Sequence, residues 1–403
     1  MRIDKSVLNT MNKQTVINII RRNGPIHRAE ISRMSGLSIP TIMKITDEFI
    51  ENGLIRENGK AKSTGGKPPL LLEFIADAYY IIGVDVGTTN TIVILMDLSA
   101  KIINRSVVAT CTSRKSDIII RRVIDTIEKV FSQSEVELSK ILGIGIGIPG
   151  LIDKEQGVVK FSPDLGWENV DLVGPISEKF NLPIMIDNVT RAMAVGERSF
   201  GVALGVSNFI CINLGYGIGA ALFIDGEIYS GSSDSAGEFG HMTMEKDGPL
   251  CDCGNHGCLE ALASANAISK EARQKIKNGH QSLITEMVEG DLEKIEAKTI
   301  YDAAKKGDEL ALEIVGRATE HIGIAVASII NLFDPDMVIL AGGVVAAGSI
   351  LTDAISRKSD SRKMKFAGGN TSIVTSQLGA NAAAVGAASF ILRRFTAAGG
   401  RMI

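Results

Sequence analysis

The residues of this chain with the clearest chemistry are three cysteines that lie within eight positions of one another. Cys251, Cys253 and Cys258 alternate with glycines in the run Cys-Asp-Cys-Gly-Asn-His-Gly-Cys. Thiolates at this spacing, with glycines that allow tight turns, are typical of a structural zinc site. His241 is the expected fourth ligand and His256 the alternative, while free reduced cysteines are the competing explanation. A closed set of four protein ligands predicts a metal that shapes the loop rather than catalyses.

Two carboxylates flank this cluster. Glu238 precedes His241 by three residues, and Glu260 follows Cys258 by two. Carboxylates are good hydrogen-bond acceptors for sugar hydroxyls, and a metal loop would hold these two in place. The alternative is that both are ordinary surface carboxylates.

Glycine-rich turns that follow apolar strands form a second set of candidates. The run Gly83-Val-Asp-Val-Gly-Thr-Thr-Asn places an acid at a strand end, ahead of a turn narrow enough for backbone N–H groups to approach a phosphate. A similar turn occurs at 214–219. Each turn alone is a weak signal, but their order suggests a phosphate-binding cleft. The candidate phosphate residues are Asp85, Gly87, Thr88, Gly215 and Gly217.

The elements around these residues follow an α/β pattern that occurs twice. Apolar strands are predicted at 80–86, 91–97 and 102–110, followed by a helix at 118–131 and a strand at 141–148. Three further strands begin at 208, 219 and 227. Two comparable starts indicate a duplicated fold with a cleft between two lobes. The remaining predicted elements are helices between 261 and 332, a strand at 337–340 and a helix at 380–395.

The first 74 residues have a different pattern. Helices are predicted at 13–22 and 28–35, and a third helix begins after Ser38, with Pro40 in its first turn. A strand at 54–56, a basic glycine-rich hairpin at 59–69 and a strand at 70–74 complete a winged helix-turn-helix. The competing interpretation is a small helical domain for protein contacts.

Charge supports DNA as the partner of this head. Residues 1–70 carry a net charge of +6 and the remainder −9. A basic segment attached to an acidic body suits contact with a polyanion. The third helix would present polar residues to the major groove, and the wing would reach phosphates or the minor groove. The candidate DNA-binding residues are Arg28, Ser38, Thr41, Lys44, Lys60, Lys62 and Lys67.

Composition excludes several classes of protein. Hydrophobic residues make up 45% of the 403 residues and charged residues 22%, which is a globular profile. No apolar run approaches the roughly 18 residues that a membrane helix needs, and no hydrophobic signal core follows Met1. We therefore expect a cytoplasmic protein with no membrane partner.

On these motifs the chain resembles the ROK family of repressors and sugar kinases, specifically members with a DNA-binding head. The most specific match is the run Gly237-Glu-Phe-Gly-His241 with the cysteine cluster. The resemblance implies two actin-like, ribonuclease H-like lobes, dimers or higher homo-oligomers, zinc on His241 and the three cysteines, and sugar contacts from Glu238, His241 and Glu260. It divides the chain into a head at 1–74, a first lobe at 79–190 completed by the helix at 380–397, and a second lobe at 191–379.

The sequence departs from the ROK kinases where the chemistry would occur. The family motif that ends in Gly-Glu places its catalytic aspartate where this chain has Val189, and valine cannot accept a proton. The motif Pro-Asn-x-Gly-Trp has Asp164 in place of asparagine, and Tyr216 replaces the threonine of the phosphate turn. The alternatives to a lost base are a one-residue shift in the alignment and Asp187 acting as the base. Asp164 and Asn188 complete the candidate sugar residues.

These observations favour a sugar-responsive repressor that binds operator DNA, senses a mono- or disaccharide in a degenerate kinase cleft, and has lost kinase activity. No catalytic residue and no ATP are expected; the cofactor is structural zinc. Loss of a base that faces a primary hydroxyl would be tolerable for a pentose, so xylose is the first sugar to consider. The alternatives are a sugar kinase with an appended head and a metal-stabilised interaction module.

Overall fold

The head is a small helical domain that packs on a three-stranded sheet. The computed structural model describes residues 5–60, 69–110, 113–365 and 369–401. The sheet has the order β1-β3-β2 and is antiparallel throughout. The elements of the head are α1 (Lys5–Asn23), β1 (Ile26–His27), α2 (Arg28–Ser35), α3 (Ile39–Glu51), β2 (Ile55–Lys60) and β3 (Leu70–Phe74).

Local signals define the helix-turn-helix. The Nδ1 atom of His27 accepts a hydrogen bond from the Glu30 amide at 3.1 Å and caps α2, which ends at Gly36 with φ of 70°. The hydroxyl of Ser38 accepts from the Thr41 amide and caps α3. Helix α2 spans the predicted range, and α3 begins directly after Ser38 as predicted. The structure adds β1, which the sequence did not predict, and begins α1 eight residues before the predicted start.

The first lobe is built on a five-stranded sheet. Helices α4 and α5 cover one face of this sheet, and a small antiparallel sheet of order β10-β9-β8 extends from its edge. The elements of this lobe are β4 (Tyr80–Val86), β5 (Asn90–Asp97), β6 (Ile102–Ala109), α4 (Ser116–Ser132), β7 (Ile141–Ile148), β8 (Leu151–Asp153), β9 (Val158–Ser162), β10 (Trp167–Asp171), α5 (Val173–Phe180) and β11 (Ile184–Asn188).

The second lobe begins with α6 and contains a second five-stranded sheet with most of the helices. Helices α7 to α11 pack together on one face of the sheet. Its elements are α6 (Val189–Phe200), β12 (Phe209–Leu214), β13 (Ile218–Ile224), β14 (Glu227–Ile228), α7 (Leu259–Ala263), α8 (Ala265–Lys277), α9 (Leu283–Met287), α10 (Ala297–Lys305), α11 (Glu309–Phe333), β15 (Met337–Ala341), α12 (Ser349–Asp360) and β16 (Ser372–Thr375); α13 (Ala382–Ala397) follows.

The two large sheets have the same topology. Their strand orders are β6-β5-β4-β7-β11 and β14-β13-β12-β15-β16. In each sheet the first three strands form an antiparallel meander, and the last two lie parallel to the first. This correspondence confirms the duplicated α/β fold that the repeated strand pattern predicts.

Two helices cross between the sheets. Helix α6 packs on β12 and β13 of the second sheet, and α13 packs on β4 and β7 of the first. They approach closely because both are rich in glycine and alanine: a β-carbon at Gly386 would lie 1.6 Å from the Ala192 carbonyl oxygen. The predicted boundary between the two lobes, after residue 190, lies within the first turn of α6.

The head shares one hydrophobic core with the first lobe. Val16, Ile20 and Phe49 of the head belong to the same buried cluster as Ile391 and Phe395 of α13. The Asn52 side chain also donates to the Gly399 carbonyl at 2.8 Å. The head is therefore packed on the body rather than held by a free linker. No helix in the described part of the chain has the length and apolar character needed to cross a membrane.

Candidate functional site

A cleft of about 940 Å³ lies where the two large sheets face each other. Its walls are formed by the ends of β4, β11 and β12, the start of α6 and the loop after β14. All five candidate sugar residues line it, and so do all five candidate phosphate residues: Asp164, Asn188, Glu238, His241 and Glu260, with Asp85, Gly87, Thr88, Gly215 and Gly217.

The predicted metal ligands come together at one corner of this cleft. One donor atom from each of His241, Cys251, Cys253 and Cys258 lies within 4.8 Å of the others. The Sγ atoms of Cys253 and Cys258 are 3.8 Å apart, and Sγ of Cys251 is 3.7 Å from Nδ1 of His241. Tetrahedral zinc with bonds of about 2.3 Å to sulfur requires sulfur atoms roughly 3.8 Å apart. The donor set therefore fits a four-coordinate metal.

His256 is directed away from this donor set. Its Nδ1 atom lies 3.2 Å from the Gly248 carbonyl oxygen, and a β-bridge pairs His256 with Leu250.

Burial raises the pKa of the Cys251 thiol to about 12, so without a cation this thiol stays protonated. A bound metal would remove that proton, because the thiolate is the ligand.

His241 connects the metal corner to the cleft. Its Nδ1 atom faces Cys251, whereas its Nε2 atom lies 3.7 Å from a carboxylate oxygen of Glu238. A metal on Nδ1 would leave the proton on Nε2, so the ring would present a hydrogen-bond donor to the cleft.

Asp164 and Glu260 form a pair of acids against Gly217. Glu260 accepts a hydrogen bond from the Ile218 amide at 2.8 Å. Burial, and then the neighbouring Glu260 carboxylate, raise the pKa of Asp164 to about 6; burial also raises the pKa of Glu260. A β-carbon at Gly217 would lie 2.4 Å from a Glu260 oxygen, which explains the need for glycine.

The other two candidate sugar residues have different surroundings. Glu238 is half-exposed at the mouth of the cleft. The Asn188 side chain caps α6 by accepting from the Thr190 amide at 2.8 Å, and it donates to the Gly150 carbonyl at 3.0 Å. One lone pair and one N–H of its amide are therefore used within the chain, which makes Asn188 primarily a positioning residue.

The turns predicted to hold phosphate line the same cleft, and Gly217 of the second turn lies against the two acids. Asp85 is buried at the end of β4, and its Oδ1 atom has no hydrogen-bond partner. Burial alone raises its pKa to about 7. The turn after β4 closes through a bond from the Gly87 amide to the Asn90 carbonyl, and the turn after β12 through a bond from Gly215 to Gly217.

The Tyr216 side chain contacts Arg114, which was not among the residues predicted from the sequence; we call this contact the Arg114–Tyr216 clasp. The Arg114 guanidinium, from the first lobe, donates to the Tyr216 hydroxyl at 2.8 Å and lies 5.7 Å from its ring centre. Trp167 donates to the Arg114 carbonyl at 2.9 Å. This clasp joins the two lobes across the cleft. Arg114 lies in a loop without a motif, 102 residues from Tyr216, so only the fold brings them together.

The alternative base, Asp187, is held in an ion-pair network. Its two oxygens lie 3.0 Å from Nζ of Lys154 and 3.4 Å from the Arg191 guanidinium. Both cations also contact Asp234, in the loop after β14. Val189 is buried in the first turn of α6, on the cleft wall. Asp187 is thus part of the contact between the lobes and already has cationic partners.

In the head, α3 presents part of its surface to solvent. Ser38 and Lys44 are exposed and Thr41 is half-buried, while Ile42, Ile45 and Phe49 are buried as predicted. Lys60 ends β2, and Lys62 and Lys67 lie outside the described residues.

Arg28, a predicted DNA contact, already has partners inside the head. Its guanidinium donates to Thr46 at 2.9 Å and to Asp47 at 2.8 Å, and it lies 3.7 Å from Glu57. These partners fix α3 against the start of α2. A DNA contact from Arg28 stays a prediction, and it would compete with these three contacts inside the head.

Comparison with known proteins agrees with this architecture. The ROK family model matches residues 81–394, and a winged helix-turn-helix DNA-binding model matches residues 12–56. The fold and site define a two-lobed cleft protein with a winged-helix head. The chain belongs to the ROK family.

Three similar proteins extend the comparison. The xylose repressor of Caldicellulosiruptor bescii is 33% identical over 387 residues, which is 96% of each chain. A ROK family transcriptional regulator described as a homolog of the E. coli MLC protein has a TM-score of 0.81 and 29% identity, over 98% of both chains. A ROK family glucokinase from Streptomyces griseus, solved with glucose and AMPPNP, has a TM-score of 0.70 and 30% identity, over 77% of this chain and 98% of its own.

Proposed function

We propose that this protein is a transcriptional repressor that binds operator DNA through its head and responds to a sugar in its cleft. The observation that carries the proposal is the combination, in one chain, of an exposed recognition helix and a cleft whose sugar-type acids are in place although its base position holds Val189. The relatives support it, since one is a xylose repressor and another a transcriptional regulator.

The sugar corner offers the groups that recognise neutral polyols. Asp164, Glu238 and Glu260 supply acceptors for hydroxyl protons, and Nε2 of His241 supplies a donor. Hydrogen bonds to charged groups are worth about 1.5–3 kcal/mol each, so a few of them suffice for selective binding. The proposed effector is a mono- or disaccharide, and the name of the C. bescii relative makes xylose the first to test.

The metal would be a structural zinc ion. When bound, it would connect the loop that carries Cys251 and Cys253 to the start of α7 and to His241. Its contribution is rigidity: it would hold the imidazole and the neighbouring Glu260 in one arrangement before the sugar arrives.

Three features of the cleft oppose phosphate transfer. No carboxylate stands at position 189, Asp187 is paired with two cations, and the side chain of Tyr216, in the turn predicted to hold phosphate, is bound to Arg114. General-base catalysis is typically worth 10²–10⁴-fold, so its loss alone would reduce turnover strongly. We therefore propose that kinase activity is absent and that ATP is not a cofactor.

Two helices connect the cleft to the head. Helix α6 begins at the cleft and ends against α1, where the Arg21 guanidinium donates to the Ser199 carbonyl at 3.2 Å and stacks 4.5 Å from the Phe200 ring centre. Helix α13 crosses α6 and packs on α1. A shift of the lobes on sugar binding would thus move the surface that supports the head. In a homodimer this would change the spacing of the two heads and hence operator affinity.

A second candidate function, a sugar kinase with an appended head, is favoured by one observation. The buried Oδ1 atom of Asp85 faces the cleft without a partner, as expected for a site that receives a metal or phosphate group. The S. griseus glucokinase, solved with glucose and AMPPNP, is the relative that supports this alternative.

One experiment separates the two. An operator is selected from random duplex DNA with full-length protein, its affinity is measured with and without a panel of sugars, and ATP consumption is measured with the same sugars. The proposal expects DNA binding that a sugar changes by at least several-fold, with no sugar-dependent ATP turnover. Turnover of order 1 s⁻¹, typical of a working enzyme, would restore the kinase. Arg21→Ala is the matched variant for coupling, since it should keep both affinities but reduce the effect of sugar on DNA binding.

A further inference from the structure

The exposed face of α3 is apolar in its first half. Ile39 and Met43 lie one turn apart and are 41% and 48% exposed, and Met34, at the end of α2, is 45% exposed. The remaining apolar residues that the helix needs for packing are buried on its other face. The exposed pair therefore contributes nothing evident to the core of the head.

The charges of α3 are separated along its length. The carboxylates lie in its second half, where Asp47 pairs with Arg28 and Glu48 with Lys13, each at 2.8 Å. The first half holds no acid, carries the exposed Lys44, and contains the positive end of the helix dipole. This half is thus the part suited to approach a polyanion, and Ile39 and Met43 lie on it.

The polar groups at the start of α3 are partly used within the head. The hydroxyls of Ser38 and Thr41 lie 2.8 Å apart, and Ser38 also caps the helix. Their capacity to bond with bases is reduced accordingly. Among the described side chains in the first half of α3, the apolar pair and Lys44 are exposed and available for contact with base edges.

We propose that Ile39 and Met43 read thymine by packing on its C5-methyl group in the major groove. This inference rests on the proposed function, because it assumes that α3 enters DNA. The C5-methyl of thymine is the apolar group that base edges display in that groove, and apolar side chains distinguish it from cytosine, which lacks it. The operator should therefore place thymines under the first turns of α3, with a contact to guanine or phosphate from Lys44.

The test replaces thymine by deoxyuridine, which removes only the methyl group. An operator is first selected with full-length protein, and each of its A·T pairs is then substituted singly. Burial of one methyl is worth about fourfold in affinity, so we expect a loss of that order at one to three positions per half-site. Ile39→Ala and Met43→Ala should each abolish the sensitivity at one position.

Met11→Ala is the matched control. Met11 lies on α1 and is 54% exposed, so it resembles Met43 in type and exposure but lies outside α3. This variant should keep the full deoxyuridine effect at every position. Lys44→Ala should weaken binding and also keep the effect.

The outcomes separate the inference from the function. Failure of the wild-type protein to select any DNA would overturn the proposed function. Selection of an operator that is indifferent to deoxyuridine at every position would overturn the thymine contact and leave the repressor standing. If Ile39→Ala and Met43→Ala change the sedimentation of the free protein and preserve the deoxyuridine effect, the apolar face is a protein interface and the inference is wrong.

Discussion

Two sets of candidate residues line the cleft, a sugar end of Asp164, Glu238, His241 and Glu260 and a phosphate end of Asp85 with the turns after β4 and β12, and the two sets meet at Gly217. At the sugar end, three acids and a histidine line the cleft beside a cluster of metal-type ligands. At the phosphate end, the Oδ1 atom of Asp85 is buried without a partner and Tyr216 is hydrogen-bonded to Arg114, while Val189 occupies the position that the family motif predicts for the base. The proposed function therefore expects sugar recognition without phosphate transfer.

Removal of the metal should have the largest effect on the sugar end of the cleft. Elemental analysis should find one zinc per chain in the wild-type protein and none in Cys253→Ser, which lacks one of the four ligands. Structural zinc sites contribute folding free energy directly. The variant should unfold at a clearly lower temperature and lose sugar binding. His256→Ala is the control and should retain the metal, since His256 faces Gly248. A full complement of zinc in Cys253→Ser would place the site elsewhere.

Asp85 should make stability depend on pH. Burial raises its pKa in the folded state from 3.8 to about 7, so the folded state prefers the protonated form. Its favourable contribution is complete below about pH 4 and is lost as pH rises through 7. Asp85→Asn, which stays neutral, should therefore gain stability over the wild type between pH 4 and 8, by about 4 kcal/mol at most.

Thermal unfolding at pH 5 and pH 8 measures this difference. Asp97→Asn is a useful comparison, because Asp97 is a buried acid of the same sheet whose carboxylate accepts from the Ser99 and Lys101 amides. That variant should be destabilised, since it replaces the charged acceptor of these hydrogen bonds by a neutral and weaker one. Equal stability curves for Asp85→Asn and wild type would show that Asp85 is already stabilised as an anion.

At the sugar end, the two glutamates should differ in importance. Glu260 is partly buried and accepts a hydrogen bond from the Ile218 amide, whereas Glu238 is half-exposed. We expect Glu260→Ala to weaken sugar binding by roughly 10- to 100-fold and Glu238→Ala by less, because hydrogen bonds to buried charges are worth more. Titration calorimetry with the sugar found by screening provides the affinities. A larger loss in Glu238→Ala would reverse the order assigned to the two acids.

Restoring a base should have the smallest effect. Val189→Asp places a carboxylate at the start of α6, but the Arg114–Tyr216 clasp is unchanged. We expect sugar-dependent ATP consumption to stay at background in this variant, and to rise, if at all, only when Tyr216→Thr is added. Turnover near 1 s⁻¹ in the single variant would show that the phosphate end is still functional and that only the base was lost.

Much of this protein could be predicted from local sequence. The winged helix-turn-helix follows from Ser38, Gly36 and the spacing of buried apolar residues in α3, because capping and helical periodicity act over a few positions. The duplicated α/β fold follows from two series of apolar strands. The four predicted metal ligands, His241 and three cysteines, come together because all lie within 18 residues of chain.

Tertiary structure decided what local sequence could not encode. The clasp between Arg114 and Tyr216, the ion pairs that hold Asp187 and the contact of Arg21 with the end of α6 join residues on elements separated in the chain or in space. Arg28 was predicted to contact DNA because it is basic, and the structure shows that it donates hydrogen bonds to Thr46 and Asp47 of α3. Capping and periodicity depend on neighbours in sequence, whereas the partners of a long charged side chain depend on which surfaces the fold brings together.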